Sequence, residues 1–315
     1  MANLTPEEKK ALKFKGIIAT KNEGEFIARI VAPCGLFTNE QMQTITDIAK
    51  KYGNGNVAFT SRLTAEVQGI SADDADKIIK AAESVGLVTG GTGAVVRPVV
   101  ACKGTVCVHG LVDTQKFATR IFNEFYLGWH DIKLPHKFKI GIGGCPNNCV
   151  KPAYNDFGIM AQRVPEFSAE LCHSCKKCAV TEKCPVHAAV QDENGVLSID
   201  KEKCTNCGKC INACYFNSVK EKEFGFKIFI GGIFGKTQRP GTPVPGLYSE
   251  DEVMKMIEKA LLLFREQGVS GERLGRVVDR VGVDNFINQL LSDDILKRKN
   301  EILGIVAVDD GKVSC

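Results

Sequence analysis

Eight cysteines crowd into residues 166–217, and they arrive as one pattern written twice. CHSCKKCAVTEKCPVHAAV (172–190) returns 32 residues later as CTNCGKCINACYFNSV (204–219), and DENGVLSIDKEK between the copies reads as a short hairpin. The stretch holds little else that could make a core. The chain opens MANLTPEEKKALK, polar and helix-prone, without the apolar run of a secretory signal. A cytoplasmic, reducing setting is therefore expected, and there clustered cysteines hold metal rather than disulfides. A Cys-x2-Cys-x2-Cys run offers three thiolates on one tight loop, matching three corners of a cubane, with the fourth ligand supplied by the other repeat. That rule assigns Cys172, Cys175, Cys178 and Cys214 to one 4Fe–4S cluster, and Cys204, Cys207, Cys210 and Cys184 to a second. Zinc is the lesser alternative, since its sites pair ligands rather than cross triplets. The repeats are not identical: Pro185 follows the fourth cysteine of the first and Tyr215 that of the second, and five residues part Cys178 from Cys184 where three are usual.

Of the 14 cysteines, four more form two pairs: Cys102 and Cys107 in ACKGTVCVHG, then Cys145 and Cys149 in IGIGGCPNNCVKP. On two loops that end strand-like runs, they make a third four-thiolate site. Spacing alone leaves iron–sulfur, zinc and plain reduced cysteines open. Cys34 and Cys315 stand apart, one read as a small buried residue and the other as part of a frayed end.

Around the cysteine block the patterning is α+β. EFIARIVAP and then NVAFTSR and TAEVQGI alternate as strands, TNEQMQTITDIAKKYG is a helix capped by Thr38 or Asn39, and SADDADKIIKAAESVG is a second helix ending at Gly86. This βαββα order, followed by strand-like AVVRPVVA, predicts a split-βαβ, ferredoxin-like unit. A helix is expected over 111–128, KFKIGIG as a strand, FKIFIGG (226–232) as a resumption of the same style after the cysteine block, and a helix-rich tail from Ser249. The longest apolar stretch, FGFKIFIGGIFG, carries a lysine and is too short to span a bilayer, and a net charge of +4 gives no call for nucleic acid or a membrane surface as partner. GGTGAVV is glycine-rich but no helix follows it, so no dinucleotide site is read there and electrons must come from another protein.

RPVVACKGTVC (97–107) followed by GIGGCPNNC (141–149) resembles the sulfite and nitrite reductases that couple a sirohaem to a 4Fe–4S cluster. GLFTNEQMQTITDIAKKYGNGNVAFTSR is similar to that family's ferredoxin-like half-domain, and GGIFGKTQRPGTPV and GERLGRVVDRVG are similar to its later segments. The resemblance covers almost the whole chain. It implies a ferredoxin-like half-domain (1–92), a sirohaem/4Fe–4S α/β domain in two parts (93–165 and 218–315, the latter with the helical tail), and an inserted bacterial-type two-cluster ferredoxin domain (166–217). It also implies three 4Fe–4S clusters and a sirohaem. Cys102, Cys107, Cys145 and Cys149 would hold the coupled cluster, with Cys149 also supplying the axial thiolate, while Gly143, Gly144 and Pro146 let the backbone approach a bulky macrocycle. The family usually has five residues between its first two cysteines; here there are four.

The same resemblance implies sulfite reduction to sulfide, with nitrite reduction to ammonia at the same site or a sirohaem-free electron-transfer subunit as alternatives. It maps the substrate cations to Arg29, Arg97, Lys137 and Lys139. Independently of it, Arg29 interrupts an apolar strand, and Lys137 and Lys139 form an i, i+2 pair on one strand face. Arg62, assisted by Thr60, is expected to meet sirohaem carboxylates, with Lys103, Asn147 and Asn148 as further cofactor contacts by proximity. His109 and His136 are read as structural before catalytic. Expected partners are an electron donor (a ferredoxin or dedicated donor subunits) and a second copy of the chain, because a single half-unit leaves an anion pocket open to water.

Overall fold

The computed structural model describes residues 4–304, so Cys315 lies outside the described residues. After helix α1 (Pro6–Phe14), capped by Thr5, come strands β1 (Ile17–Ala19) and β2 (Phe26–Val31), helix α2 (Asn39–Tyr52), strands β3 (Val57–Phe59) and β4 (Ala65–Ile70), helix α3 (Ala75–Glu83) and strand β5 (Val88–Thr89). The strands form one antiparallel sheet in the order β3-β4-β2, with β1 and β5 sharing the far edge of β2 end to end. With α2 and α3 on it, this is the expected ferredoxin-like arrangement. Thr38 caps α2 in a full capping box with Gln41, and the apolar stripes of both helices close over Ile30, Val67 and Ile70. One detail differs from the sequence reading. The closing strand is Val88–Thr89, and AVVRPVVA belongs to the other sheet, where Pro98 interrupts it and leaves only Val100–Ala101 as strand β6.

The second sheet runs β12-β11-β8-β7-β6 and is mixed: β6 (Val100–Ala101), β7 (Ile140–Gly143) and β8 (Phe157–Phe167) are parallel, whereas β11 (Val219–Ile230) and β12 (Thr242–Pro243) are antiparallel to their neighbours. Between β6 and β7 lies α4 (Thr114–Ile121), which runs on as a π-helical turn over Phe122–Leu127. The long hairpin of β8 and β11 carries residues 168–218 at its tip. There α5 (Ala179–Lys183) and a small hairpin of β9 (Ala189–Gln191) and β10 (Leu197–Ile199) enclose a core of Val180, Leu197, Ile211 and Val219, with Cys172, Cys178, Cys184 and Cys214 packed against it.

The tail folds as α6 (Glu250–Gln267), α7 (Leu274–Val281), α8 (Val283–Leu291), α9 (Asp294–Lys297) and α10 (Lys299–Gly304). The run Leu261, Leu262, Leu263 and Phe264 is at most 1% exposed, so α6 is sheathed by the other tail helices and the sheet. Its surplus of apolar residues closes the core within the chain. Among the described residues no helix is long and apolar enough to cross a membrane.

Candidate active site

Because β6 and β7 are parallel, the loops that follow them leave from one end of the sheet, and each begins with a cysteine: Cys102 directly after β6, Cys145 shortly after β7. The Gly144 amide donates to Cys102 Sγ at 3.2 Å, and the Thr114 hydroxyl to the Cys102 carbonyl at 2.6 Å. Glycine is required where the loops meet: a Cβ on Gly144 would stand 2.8 Å from Thr114 Cγ2 and 3.1 Å from Gly104 Cα. Burial raises the Cys145 thiol, and Cys102, Cys149 and Cys107 push it the same way, so the four thiols are electrostatic neighbours. Among the described residues no three His, Cys, Asp or Glu side chains converge closely enough for a single metal ion. Cys149 is exposed, as are Lys103, Asn147, Asn148 and His109, and Val106 and Val108 stand 75% and 93% exposed beside them. An apolar face that open next to a thiol is suited to being covered.

In the cysteine-rich lobe, Cys184, Cys204, Cys207 and Cys210 line one small cavity with Pro185, Ala189 and Ile199. This is one of the two crossed sets. Burial pushes the Cys210 thiol up to about 11, and Cys204, Cys207 and Cys184 add to the rise. The fourth cysteines of the two repeats have matching surroundings. Cys184 Sγ accepts from the Ala188 amide at 3.2 Å and Cys214 Sγ from the Ser218 hydroxyl at 3.1 Å, each four residues on. Burial works against it, but such donors hold both thiols below their ordinary value.

The expected substrate cations gather elsewhere, where the half-domain sheet meets the start of β7. Arg97 donates to the Gly91 carbonyl at 2.6 Å, and Arg29 to the same carbonyl at 3.0 Å while paired with Glu66 at 2.7 Å. Arg62, next to Thr60, reaches across to the second sheet and donates to the Pro98 and Ile140 carbonyls at 2.6 and 3.0 Å and to Asn155 Oδ1 at 3.1 Å. Burial lowers Lys139 to about 8, helped by Arg62, Arg273 and Lys137, and lowers His136 to about 4, so His136 is neutral at neutral pH. Burial also brings Arg97 down to about 10, with Arg29 and Arg273 adding like-charge repulsion; it remains a cation.

Two residues absent from the sequence reading anchor this cluster. Asp156 is 0% exposed; its carboxylate accepts from the Lys139 amide at 2.9 Å and from Arg273 at 2.7 and 2.9 Å. Burial raises its carboxyl, against the pull of Arg273 and Lys139. Arg273, delivered by the turn before α7, lies in GERLGRVVDRVG, and Asp156 is the one acid at the head of an apolar strand; that mismatch was the available signal. Of the three buried side-chain polar atoms without a partner among the described residues, Arg273 Nε and Tyr126 Oη both belong to this region, Tyr126 lying beside Gly90.

The structure thus brings the four cations together and the four thiols together, but at opposite ends of β7. Strand β7 (Ile140–Gly143) and Gly144 separate Lys139 from Cys145, six steps along the chain that reach at most roughly 20 Å. Arg62 and Thr60 sit at the cation end; Lys103, Asn147 and Asn148 sit at the cysteine end.

A ferredoxin-like half-domain is thus docked on a mixed sheet that carries four thiols at one end of its parallel strands and a group of cations at the other. Residues 92–299 match the family described as nitrite and sulphite reductase 4Fe-4S domain, and residues 18–85 match the nitrite/sulfite reductase ferredoxin-like half domain. The chain belongs to the nitrite and sulfite reductase 4Fe–4S family. It is 35% identical to the coenzyme F420-dependent sulfite reductase of Methanocaldococcus jannaschii over 87% of its own length, and spans 44% of that protein. It is 30% identical to the uncharacterized protein MJ0551 of the same organism, over 84% of this chain and 90% of that one. Its fold is similar to the crystal structure of dissimilatory sulfite reductase I, with a TM-score of 0.67 at 23% identity, over 84% of this chain and 69% of that one.

Proposed function

We propose that this chain reduces sulfite to sulfide, taking sulfur from +4 to −2 with six electrons from an external donor protein. The observation that carries the reading is the pairing, on one pair of parallel strands, of four neighbouring thiols with a cluster of six cations beside one buried acid. Cys102, Cys107, Cys145 and Cys149 fit a 4Fe–4S cluster, and exposed Cys149 beside Val106 and Val108 fits a macrocycle laid over that face. Sirohaem, when bound there, supplies an open metal face for the sulfur and a path for electrons from the cluster. The chain's own residues do the rest. Arg97, Lys137 and Lys139 hold the oxyanion and stabilise charge as oxygens leave, and Lys139, near pKa 8, is poised to give a proton and recover it. The two crossed cysteine sets in residues 166–217 fit an inserted ferredoxin module with two further clusters.

Thiols and cations at opposite ends of β7 do not meet within one chain. Self-association about a twofold meets the need, setting the cysteine end of one protomer against the cation end of its partner, twice over. The family match covers nitrite reductases as well, so nitrite reduction to ammonia is the second reading. A visible spectrum of anaerobically purified protein tests the cofactor: resolved Soret and red bands are expected, and a featureless cluster shoulder alone would reject sirohaem. Steady-state assay with reduced viologen tests the substrate, and a higher kcat/KM for nitrite would displace sulfite.

A further inference from the structure

The two halves of the cysteine-rich lobe have the same ligand pattern but not the same position. A cleft of about 180 Å³ between the lobe and the loops after β6 and β7 is lined by Val108, His109, Cys145 and Asn147 on one wall and by Cys207, Gly208 and Lys209 on the other, with Arg163 of β8 between them. No cysteine of the first triplet, Cys172, Cys175 or Cys178, lines it.

The second triplet loop is seated there by contacts peculiar to it. The Arg163 amide donates to the Asn206 carbonyl at 2.8 Å, Arg163 bridges in parallel to Cys207, and Asn206 Nδ2 donates to buried Gln162 at 3.3 Å. Gly208 has φ +69°, and a Cβ there would stand 2.7–3.0 Å from Arg163 Cδ, Cβ and Cγ. Only glycine lets the loop lie flat along the Arg163 stem. The Arg163 guanidinium is in turn held by Glu221 of β11, so the seat is clamped from both long strands. The first triplet makes its own contact inside the lobe instead, where Gln191 donates to the Cys175 carbonyl at 3.0 Å.

We infer that the electron path is ordered by this seat: the Cys204/Cys207/Cys210/Cys184 set is the inner station facing Cys145, the Cys172/Cys175/Cys178/Cys214 set is the outer station that receives electrons, and Arg163 with Gly208 positions the inner station. The inference rests on the proposed clusters. Each transfer moves one electron from a low-potential donor protein to the outer station, then to the inner, then to the coupled centre, and no bond forms or breaks in these steps.

Marking one cluster at a time tests the order. Cys175→Ser and Cys207→Ser each leave an oxygen ligand and shift the resonance of the cluster they touch. In partly reduced full-length protein, the Cys207-marked paramagnetic resonance is expected to be broadened and fast-relaxing through its neighbour, the coupled centre, and the Cys175-marked one much less so. Equal relaxation of the two, or the reverse order, overturns the inference. If a variant loses its cluster, the iron content falls and the surviving resonance is thereby assigned to the other set, so the comparison is still made. Gly208→Val, by lifting the inner loop, is expected to abolish the fast relaxation at unchanged iron content; retention of it would remove Gly208 from the role. Wild-type protein without clusters or sirohaem bands would defeat the functional reading itself, a result visible before any variant is made.

Discussion

Asp156→Asn isolates what holds the cation cluster in place. The replacement keeps a carbonyl oxygen that can still accept from the Lys139 amide, now 2.9 Å from the carboxylate, but removes the charge facing Arg273. Arg273 is left 12% exposed with its Nε already unpartnered and Lys139, Arg62 and Arg97 nearby, and it has lost the one carboxylate it pairs with among the described residues. Breaking a buried pair from one side costs about 3–5 kcal/mol. At about 2–4 °C per kcal/mol for a large domain, the melting temperature should fall by roughly 10 °C. The pairing makes a sharper demand on Arg273→Met combined with Asp156→Asn: removing both charges should cost clearly less than the sum of the two single changes, because the stranded charge is gone. Thermal and denaturant unfolding of the four proteins closes the cycle. A single-variant cost below about 1 kcal/mol, or strict additivity, would show that Asp156 and Arg273 are not an interacting pair and that the cluster stands without its acid.

Lys139, with a pKa near 8, should make anion binding weaken as pH rises through about 8, since the protonated form that attracts the anion is lost above that value; nitrite, ionised throughout, is the probe, and Lys139→Arg should erase the alkaline limb. An alkaline limb that survives in Lys139→Arg would assign the titration elsewhere. Co-expressed Cys149→Ala and Lys139→Ala chains, each inactive alone, should regain activity in mixed dimers, because one assembled site then has both intact ends; failure in dimers of verified mixed composition would place the whole site within a chain. Ser249→Ala removes the capping box of α6, in which Ser249 Oγ and Glu252 bond each other's amides, and should cost about 1 kcal/mol by thermal unfolding without altering cofactor content. A loss of cofactor in that variant would mean the tail helix shapes the site directly.

The parts of this fold that could be read in the sequence are those set by short-range rules. The helix cap at Thr38 and the alternation of β2 each depend on residues within a few positions of one another, and each has its counterpart in the structure. Val88–Thr89 was missed as a strand because two residues have no periodicity; only pairing with Ile30 and Val31 makes them one. The same limit hid Asp156 and Arg273, 117 residues apart, whose roles exist only once β8 and the turn before α7 meet. It also concealed the most consequential feature of the site. Lys139 and Cys145 are six residues apart in a line of text, which invites placing them in one pocket, yet an extended strand turns that nearness into separation. A helix over the same six residues would have spanned about 9 Å and allowed one pocket. The strand places the thiols and the cations on opposite rims of the sheet, so in the proposed twofold assembly the second copy would do more than exclude water: it would supply the other half of the chemistry.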